Sequence, residues 1–257
     1  MPNTLILATQ RTGSTLLCSE LADIGGLGAP GEHLLDWLRN RGGQETLTPD
    51  RLDALLAPGR DGDGNVGLKL MADYLPALAE LALGERAPQD PVAAGAAFID
   101  SLAERYGPFA VFRIDREDRF DQALSRYLAV YTGVYFRTAD GEITQQFAGQ
   151  CSAEAALECF DVWALDRLMT EICAELRYLD QLGTRLRQPV HPVPYEALCE
   201  RREETLALAC AHAGIAPPAT WPRRWMRKVV DPELGERFRR EAARQRAAVG
   251  YVRRFSA

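Results

Sequence analysis

The run Leu5-Ile6-Leu7-Ala8-Thr9-Gln10-Arg11-Thr12-Gly13-Ser14-Thr15-Leu16-Leu17 constrains this chain more than any other stretch. A short apolar strand runs into a polar turn, and the turn opens directly into an amphipathic helix. A helix N-terminus carries unpaired N–H groups and a partial positive charge, so it attracts anions. Ser14 and Thr15 add hydroxyls, and Arg11 adds a permanent positive charge. The turn from Gln10 through Arg11, Thr12, Gly13 and Ser14 to Thr15 therefore reads as a phosphate-binding loop. It departs from the ATPase pattern G-x-x-x-x-G-K-[ST], whose lysine reaches the terminal phosphates. Ala8 stands where the first glycine would be, and Ser14 stands where the lysine would be. With the charge moved forward to Arg11, the loop suits a nucleotide whose single 5′ phosphoryl group carries something other than further phosphates.

The rest of the chain alternates strands with helices. Apolar runs predict strands over Val66–Met71, Phe109–Ile114 and the proline-broken Val190–Tyr195. Helices are predicted over 13–24, 34–39, 49–56, 75–83, 96–106, 120–132, 154–182 and 201–213, the last closed by Gly214. The stretch 137–149 is polar, with the composition of a mobile loop, and the chain from Pro222 onward is strongly basic. Strands alternating with helices imply an α/β fold, three-layer αβα, with a central parallel sheet and the phosphate turn at one edge.

Composition excludes several classes. The chain has 257 residues, 47% of them hydrophobic, enough for an extensive core in one domain. The net charge of -6 argues against nonspecific nucleic-acid binding. No apolar run is long enough to span a bilayer. The first strand begins by Thr4, with no basic leader before it, so a cytoplasmic location is expected. Six cysteines (Cys18, Cys151, Cys159, Cys173, Cys199 and Cys210) form no C-x-x-C pair and are expected to be reduced core thiols.

A second candidate site follows the Phe109 strand. Arg116 lies just past the strand end, and Ser125 sits nine residues later on the next helix. Ligands collect at the carboxyl ends of parallel strands, which puts Arg116 on the same edge as the phosphate loop. The arginine fork and a directional hydroxyl can bind a second phosphate.

Together the two sites resemble those of sulfotransferases that use 3′-phosphoadenosine 5′-phosphosulfate (PAPS), and more narrowly the bacterial trehalose sulfotransferase family. The resemblance rests on Leu5 to Leu17, on Gly28-Ala29-Pro30-Gly31-Glu32, on Gly67-Leu68-Lys69-Leu70-Met71, and on Arg116 through Gln122-Ala123-Leu124-Ser125 to Thr132-Gly133-Val134. A weaker fifth block, Asp231 to Arg240, is similar to the family's closing basic helix. The resemblance implies one sulfotransferase domain over residues 1–257, with PAPS as donor and PAP as product. It implies that Gln10, Arg11, Thr12, Gly13, Ser14 and Thr15 hold the 5′ phosphosulfate, and that Arg116 and Ser125 hold the 3′ phosphate. It places Glu32 as the base that takes the proton of a carbohydrate or glycolipid hydroxyl.

Some alternatives stay open. His33 is a rival base, because other sulfotransferases use histidine. Lys69 is either a stabiliser of the sulfuryl or bridging oxygens or a solvated strand-end lysine. Tyr195-Glu196 resembles the pair in wider sulfotransferases whose tyrosine contacts adenine. The basic residues Arg223, Arg224, Arg227, Lys228, Arg237, Arg239 and Arg240 are either a lid over the donor or a solvated face with pairs such as Glu236–Arg240. Trp221 and Trp225 are read as anchors of that tail. The family carries a glutamate where this chain has Ala29, so trehalose is not the expected acceptor. No metal is called for, since the arginines and loop amides neutralise the charge. A homodimer is left open. A kinase-like phosphotransferase would need the missing Walker lysine and a magnesium carboxylate, and a noncatalytic nucleotide-binding protein would have no use for Glu32 and Lys69.

Overall fold

Every residue of β1 (Asn3–Ala8) is buried, and so is every residue of β2 (Gly67–Met71). Side chains alternate between the faces of a strand, so burial at every position means that both faces of the sheet are covered. The computed structural model describes residues 3–40, 47–138, 143–146, 151–223, 226–227 and 231–248. The described chain falls into two compact units, residues 1–117 with 174–223, and residues 118–173 with 224–257.

The first unit holds a four-stranded sheet in the order β2-β1-β3-β6, with β3 at Phe109–Asp115 and β6 at Val190–Pro194. All three pairings are parallel. Its helices are α1 (Ser14–Ile24), α2 (Leu35–Asn40), α3 (Pro49–Leu56), α4 (Leu75–Leu83), α5 (Pro91–Tyr106), α9 (Tyr195–Glu200) and α10 (Arg202–Ala213). The sheet is thus central, parallel and flanked by helices, as the strand–helix alternation predicted. The chain passes from β1 to β2 on one side and returns past β1 to β3 on the other. The β1/β3 boundary is therefore the point where connections diverge, the place at the carboxyl ends where sheets of this kind receive ligands.

The second unit contains α6 (Arg119–Thr132), α7 (Ala153–Glu158) and an antiparallel sheet in the order β5-β4-β7. These strands are β4 (Val134–Thr138), β5 (Ile143–Gln146) and β7 (Met226–Arg227). The long helix α8 (Val162–Gly183) gives its residues up to Cys173 to this unit. Tyr127, Phe160 and Phe238 form an aromatic core, with Phe160 and Phe238 ring centroids 5.1 Å apart in an edge contact. The last helix, α11 (Pro232–Ala248), is tied down by polar contacts. Arg239 reaches Asp118 and lies 2.8 Å from Asp121, Gln245 donates to Phe160 O at 2.8 Å, and Arg246 pairs with Asp166.

Several sequence expectations need correction. The helix expected over 154–182 is two helices, broken at Cys159–Asp161, because apolar spacing carries on across the break and hides it. Ser152 caps the first piece by accepting from Ala155 N. Helix α5 starts at Pro91 rather than 96, with Asp90 as its cap. Part of the 137–149 stretch forms a β4–β5 pairing rather than a loop. The cysteines are not all core residues, since only Cys18 and Cys210 are buried and Cys159 is exposed. Arg224, Trp225, Lys228 and the Arg227 side chain lie outside the described residues.

One buried ion pair braces the first unit. Glu20 on α1 is 3% exposed and accepts from Arg202 Nε at 2.8 Å, while Arg202 also donates to Pro222 O at 2.7 Å. Removing one partner strands a buried charge, whereas removing both does not. Arg202→Met should therefore cost about 3–5 kcal/mol in urea unfolding, and adding Glu20→Leu to it should recover most of that loss.

Candidate active site

Because the four strands are parallel, the residues that follow each one gather at a single edge. These are Thr9–Thr15 after β1, Asp73 after β2, Arg116 after β3 and Tyr195 after β6. The turn after β1 is tight. Arg11 is the one non-glycine residue with positive φ among those described, at 64°, and Gly13 follows at 85° in the left-handed region. Thr12 Oγ1 donates to Thr9 O at 2.9 Å and closes the turn.

This turn delivers the chain into α1 with no side-chain cap at its N-terminus. Gly13 is the N-cap and has no side chain to offer, and the first turn holds no acidic residue. Helices α3, α5, α6 and α7 are capped instead by Thr48, Asp90, Asp118 and Ser152. An uncapped N-terminus flanked by Ser14, Thr15 and Arg11 is an anion site by its chemistry. Gln10 sits at the rim and donates to Asp73 Oδ2 at 2.7 Å, linking the segments after β1 and β2.

Tyr195 connects this loop to Arg116. A Cβ at Gly13 would lie 2.7 Å from Tyr195 Cε2, so the absence of a side chain there lets the ring pack on the loop. Arg116, 5% exposed, lies over the same ring with its guanidinium carbon 5.0 Å from the centroid. Glu196 then accepts from Glu117 N at 3.1 Å, which fixes the turn after β3 to the start of α9. The Tyr195 ring thus touches both the loop after β1 and Arg116 after β3. Ser125 is buried on α6 and belongs to the second unit.

On the other side of the loop, Glu32 and Lys69 form an ion pair at 2.7 Å, with the Lys69 side chain 5% and the Glu32 side chain 28% exposed. Lys69 Nζ also donates to Thr15 Oγ1 at 3.1 Å. Lys69 is therefore buried rather than a solvated strand-end lysine. The contact exists because residues 28–31 lie along β2. Lys69 N donates to Gly31 O at 2.8 Å and Ala29 N donates to Gly59 O at 2.8 Å. A Cβ at Gly67 would lie 2.7 Å from Ala29 C, so only glycine lets the loop approach. Asp61 pins the loop's start by accepting from Gly28 N at 3.0 Å.

His33 is used differently from Glu32. Its Nε2 donates to Ala29 O at 2.9 Å, and its ring fills the space beside Gly31 and Gly59. That nitrogen holds its proton against a carbonyl and cannot also accept one. Behind the pair, burial pushes the Cys18 thiol up to about 11, Lys69 opposing the shift and Glu32 adding to it. The thiol stays protonated at neutral pH and is no nucleophile. Sequence reasoning missed Asp61 and Asp73, which carry no local signal, and it named Glu196 only as the neighbour of Tyr195.

The tight turn after β1, a buried arginine beyond β3 and a carboxylate–lysine pair beside the turn thus lie at the carboxyl ends of the parallel strands. The model of the Stf0 sulphotransferase family matches residues 3–241, and the chain belongs to that family. Sulfotransfer is the activity that membership gives it, and the sequence resemblance is borne out. Two solved structures align over nearly the full length. A sulfotransferase from Alicyclobacillus acidocaldarius is 17% identical, with 98% of this chain and 97% of that chain covered and a TM-score of 0.42. The sulfotransferase domain from the curacin biosynthetic pathway is 14% identical, with 98% and 99% covered and a TM-score of 0.48. No curated protein sequence matches the chain. No helix among the described residues is long and apolar enough to cross a membrane.

The Tyr195 packing gives a test of the site's architecture. Gly13→Ala places a methyl against the Tyr195 ring at a left-handed position, which alone costs about 1–2 kcal/mol. Its melting temperature should fall, and trimming the ring with Gly13→Ala/Tyr195→Ala should restore part of the difference in the same scan.

Proposed function

We propose that this protein moves a sulfuryl group from PAPS to a hydroxyl of a carbohydrate or glycolipid, as one sulfotransferase domain spanning both units. The observation that carries this reading is the pair of cationic elements, the α1 N-terminus without a side-chain cap and Arg116, that meet the same Tyr195 ring. Two such elements brought to one ring suit a nucleotide phosphorylated at both its 5′ and 3′ positions. Such a ligand needs no terminal-phosphate lysine in the loop.

PAPS, when bound, supplies an activated sulfuryl group on a phosphate leaving group. Gln10 to Thr15 hold the 5′ end through backbone amides and hydroxyls, and Arg11 neutralises it. Arg116 holds the 3′ phosphate, with Ser125 as its partner by position in the family pattern. Tyr195 bounds the nucleoside between them. Glu32 accepts the proton of the acceptor hydroxyl as that oxygen becomes the nucleophile. Lys69, between Thr15 and Glu32, keeps positive charge where negative charge develops. Glu32 is the more exposed partner of the pair, so its carboxylate meets the acceptor from the open side. Ala29 offers that acceptor no side-chain hydrogen bond, which argues for a sugar other than trehalose.

Two experiments test this. Arg116→Ala should weaken PAP binding by about 1.5–3 kcal/mol, the range for a hydrogen bond to a charged group. Adenosine 5′-phosphosulfate has no 3′ phosphate and should lose far less in the same calorimetry. Equal losses for the two ligands would remove Arg116 from the 3′ site.

Glu32→Gln preserves shape but cannot take a proton. At saturating PAPS, with the best acceptor from a labelled-sulfate screen, its turnover should drop by roughly two to four orders of magnitude. His33→Ala should be much milder, since its ring holds the loop through Ala29 O. The reverse pattern would move the base assignment to His33.

A further inference from the structure

We propose that Lys69 is a shared counter-ion, paired with Glu32 while the donor is absent and drawn to the sulfuryl oxygens when the donor binds, so that the base is released only on a loaded enzyme. The inference rests on the donor and base assignments above.

The geometry supplies the two ends of the exchange. Lys69 Nζ contacts the carboxylate on one side at 2.7 Å and the hydroxyl of Thr15 on the other at 3.1 Å. Thr15 lies in the first turn of α1, where the uncapped amides face an incoming anion. With its side chain 5% exposed, the ammonium cannot trade a partner for bulk water. A buried cation needs an anion close by, and the protonated Cys18 offers none. Glu32 fills that need in the free protein. A sulfuryl group arriving at Thr15 brings a competing anion to the same ammonium.

The choice of residue fits this use. Of the chain's 30 lysines and arginines only two are lysines, Lys69 and Lys228. A guanidinium would grip a carboxylate through two parallel bonds in a fixed plane. An ammonium is a point charge with three rotatable donors on a flexible stem, so it can redistribute its bonds between two partners. A chain that otherwise uses arginine almost throughout has a lysine where exchange is needed. While Lys69 holds Glu32 Oε1, the ion pair fixes the carboxylate on the lysine. Drawing the ammonium toward the donor leaves both carboxylate oxygens free to turn to the acceptor hydroxyl. The order is thus donor first, base second.

The scarcity of lysine makes the test direct. Full-length protein labelled with 15N-lysine contains two ammonium groups, and Lys69→Arg identifies the Lys69 resonance by its loss. PAPS, added without acceptor, should move that resonance. PAP lacks the sulfuryl group and should leave it close to its position in the free protein. Glu32→Gln should move it before any nucleotide is added. The same variant should bind PAPS about fivefold more tightly, the upper scale for one partly exposed ion pair, and should change PAP affinity by less than about twofold. PAPS binding at full affinity with the Lys69 resonance unmoved would overturn the shared counter-ion while leaving the donor assignment standing. So would a Glu32→Gln variant that gains no affinity for PAPS. Should that variant fail to fold, the wild-type resonance decides alone. If neither nucleotide binds the wild-type protein, the donor assignment fails and this inference fails with it.

Discussion

Parallel pairing of β1 with β2 on one side and β3 on the other is the constraint on which the site depends. It brings the ends of separate strands to one edge, and it places the divergence of the chain beside the β1 turn. Nothing local to the phosphate turn recruits Arg116 or Lys69. They arrive because Ile6 pairs with Lys69 and Ala8 with Ile114, and the chain beyond Ile114 continues over the same edge. The fully buried side chains Leu5, Ile6 and Leu7 hold that register from within, since a slip of one residue would change which face each presents. The chemistry is thus a consequence of apolar packing one layer below it.

The site itself has two halves joined at α1. One half is cationic and meets at an aromatic ring, and the other is a charge-balanced carboxylate–lysine pair. Thr15 belongs to both, since its residue sits in the helix start while its hydroxyl accepts from Lys69. The Glu32 loop is fixed by backbone bonds to β2 and to the 59–61 turn rather than by side-chain packing alone. That kind of anchoring tolerates a change of side chain at Ala29 and similar loop positions without moving Glu32.

The legible parts of the sequence were those with local signals. Thr48-Pro49 fixed the start of α3, and the spacing of Leu75, Leu78 and Leu81 before Gly84 fixed α4. That Arg11, Lys69 and Arg116 lie in or just after the parallel strands was readable because each follows or lies in an apolar run. The pairing of Glu32 with Lys69 was not readable, since it depends on a loop lying against a strand far along the chain. Nor was the packing of Tyr195 on Gly13, which needs β6 to take its place beside β3. Helix α9 was missed because Tyr195-Glu196 reads as the end of a strand, and the β4–β5 pairing because its polar residues lack an alternating apolar face. In each case the missing information was tertiary.

The two edges of the parallel sheet are closed by different means, and this bears on solubility. At β6, Pro192 and Pro194 cannot donate, so the ladder to β3 draws on the alternate residues and the prolines take the outward positions. At β2 the outer edge is occupied by the Glu32 loop through the bond from Lys69 N to Gly31 O. An open strand edge is a template for pairing with another chain, and proteins commonly guard it with prolines or a covering loop. Here the Glu32 loop is that guard. Shortening or loosening it would uncover a fully buried strand. The backbone of residues 28–31 is therefore constrained by the strand it covers, whatever the side chains on it do.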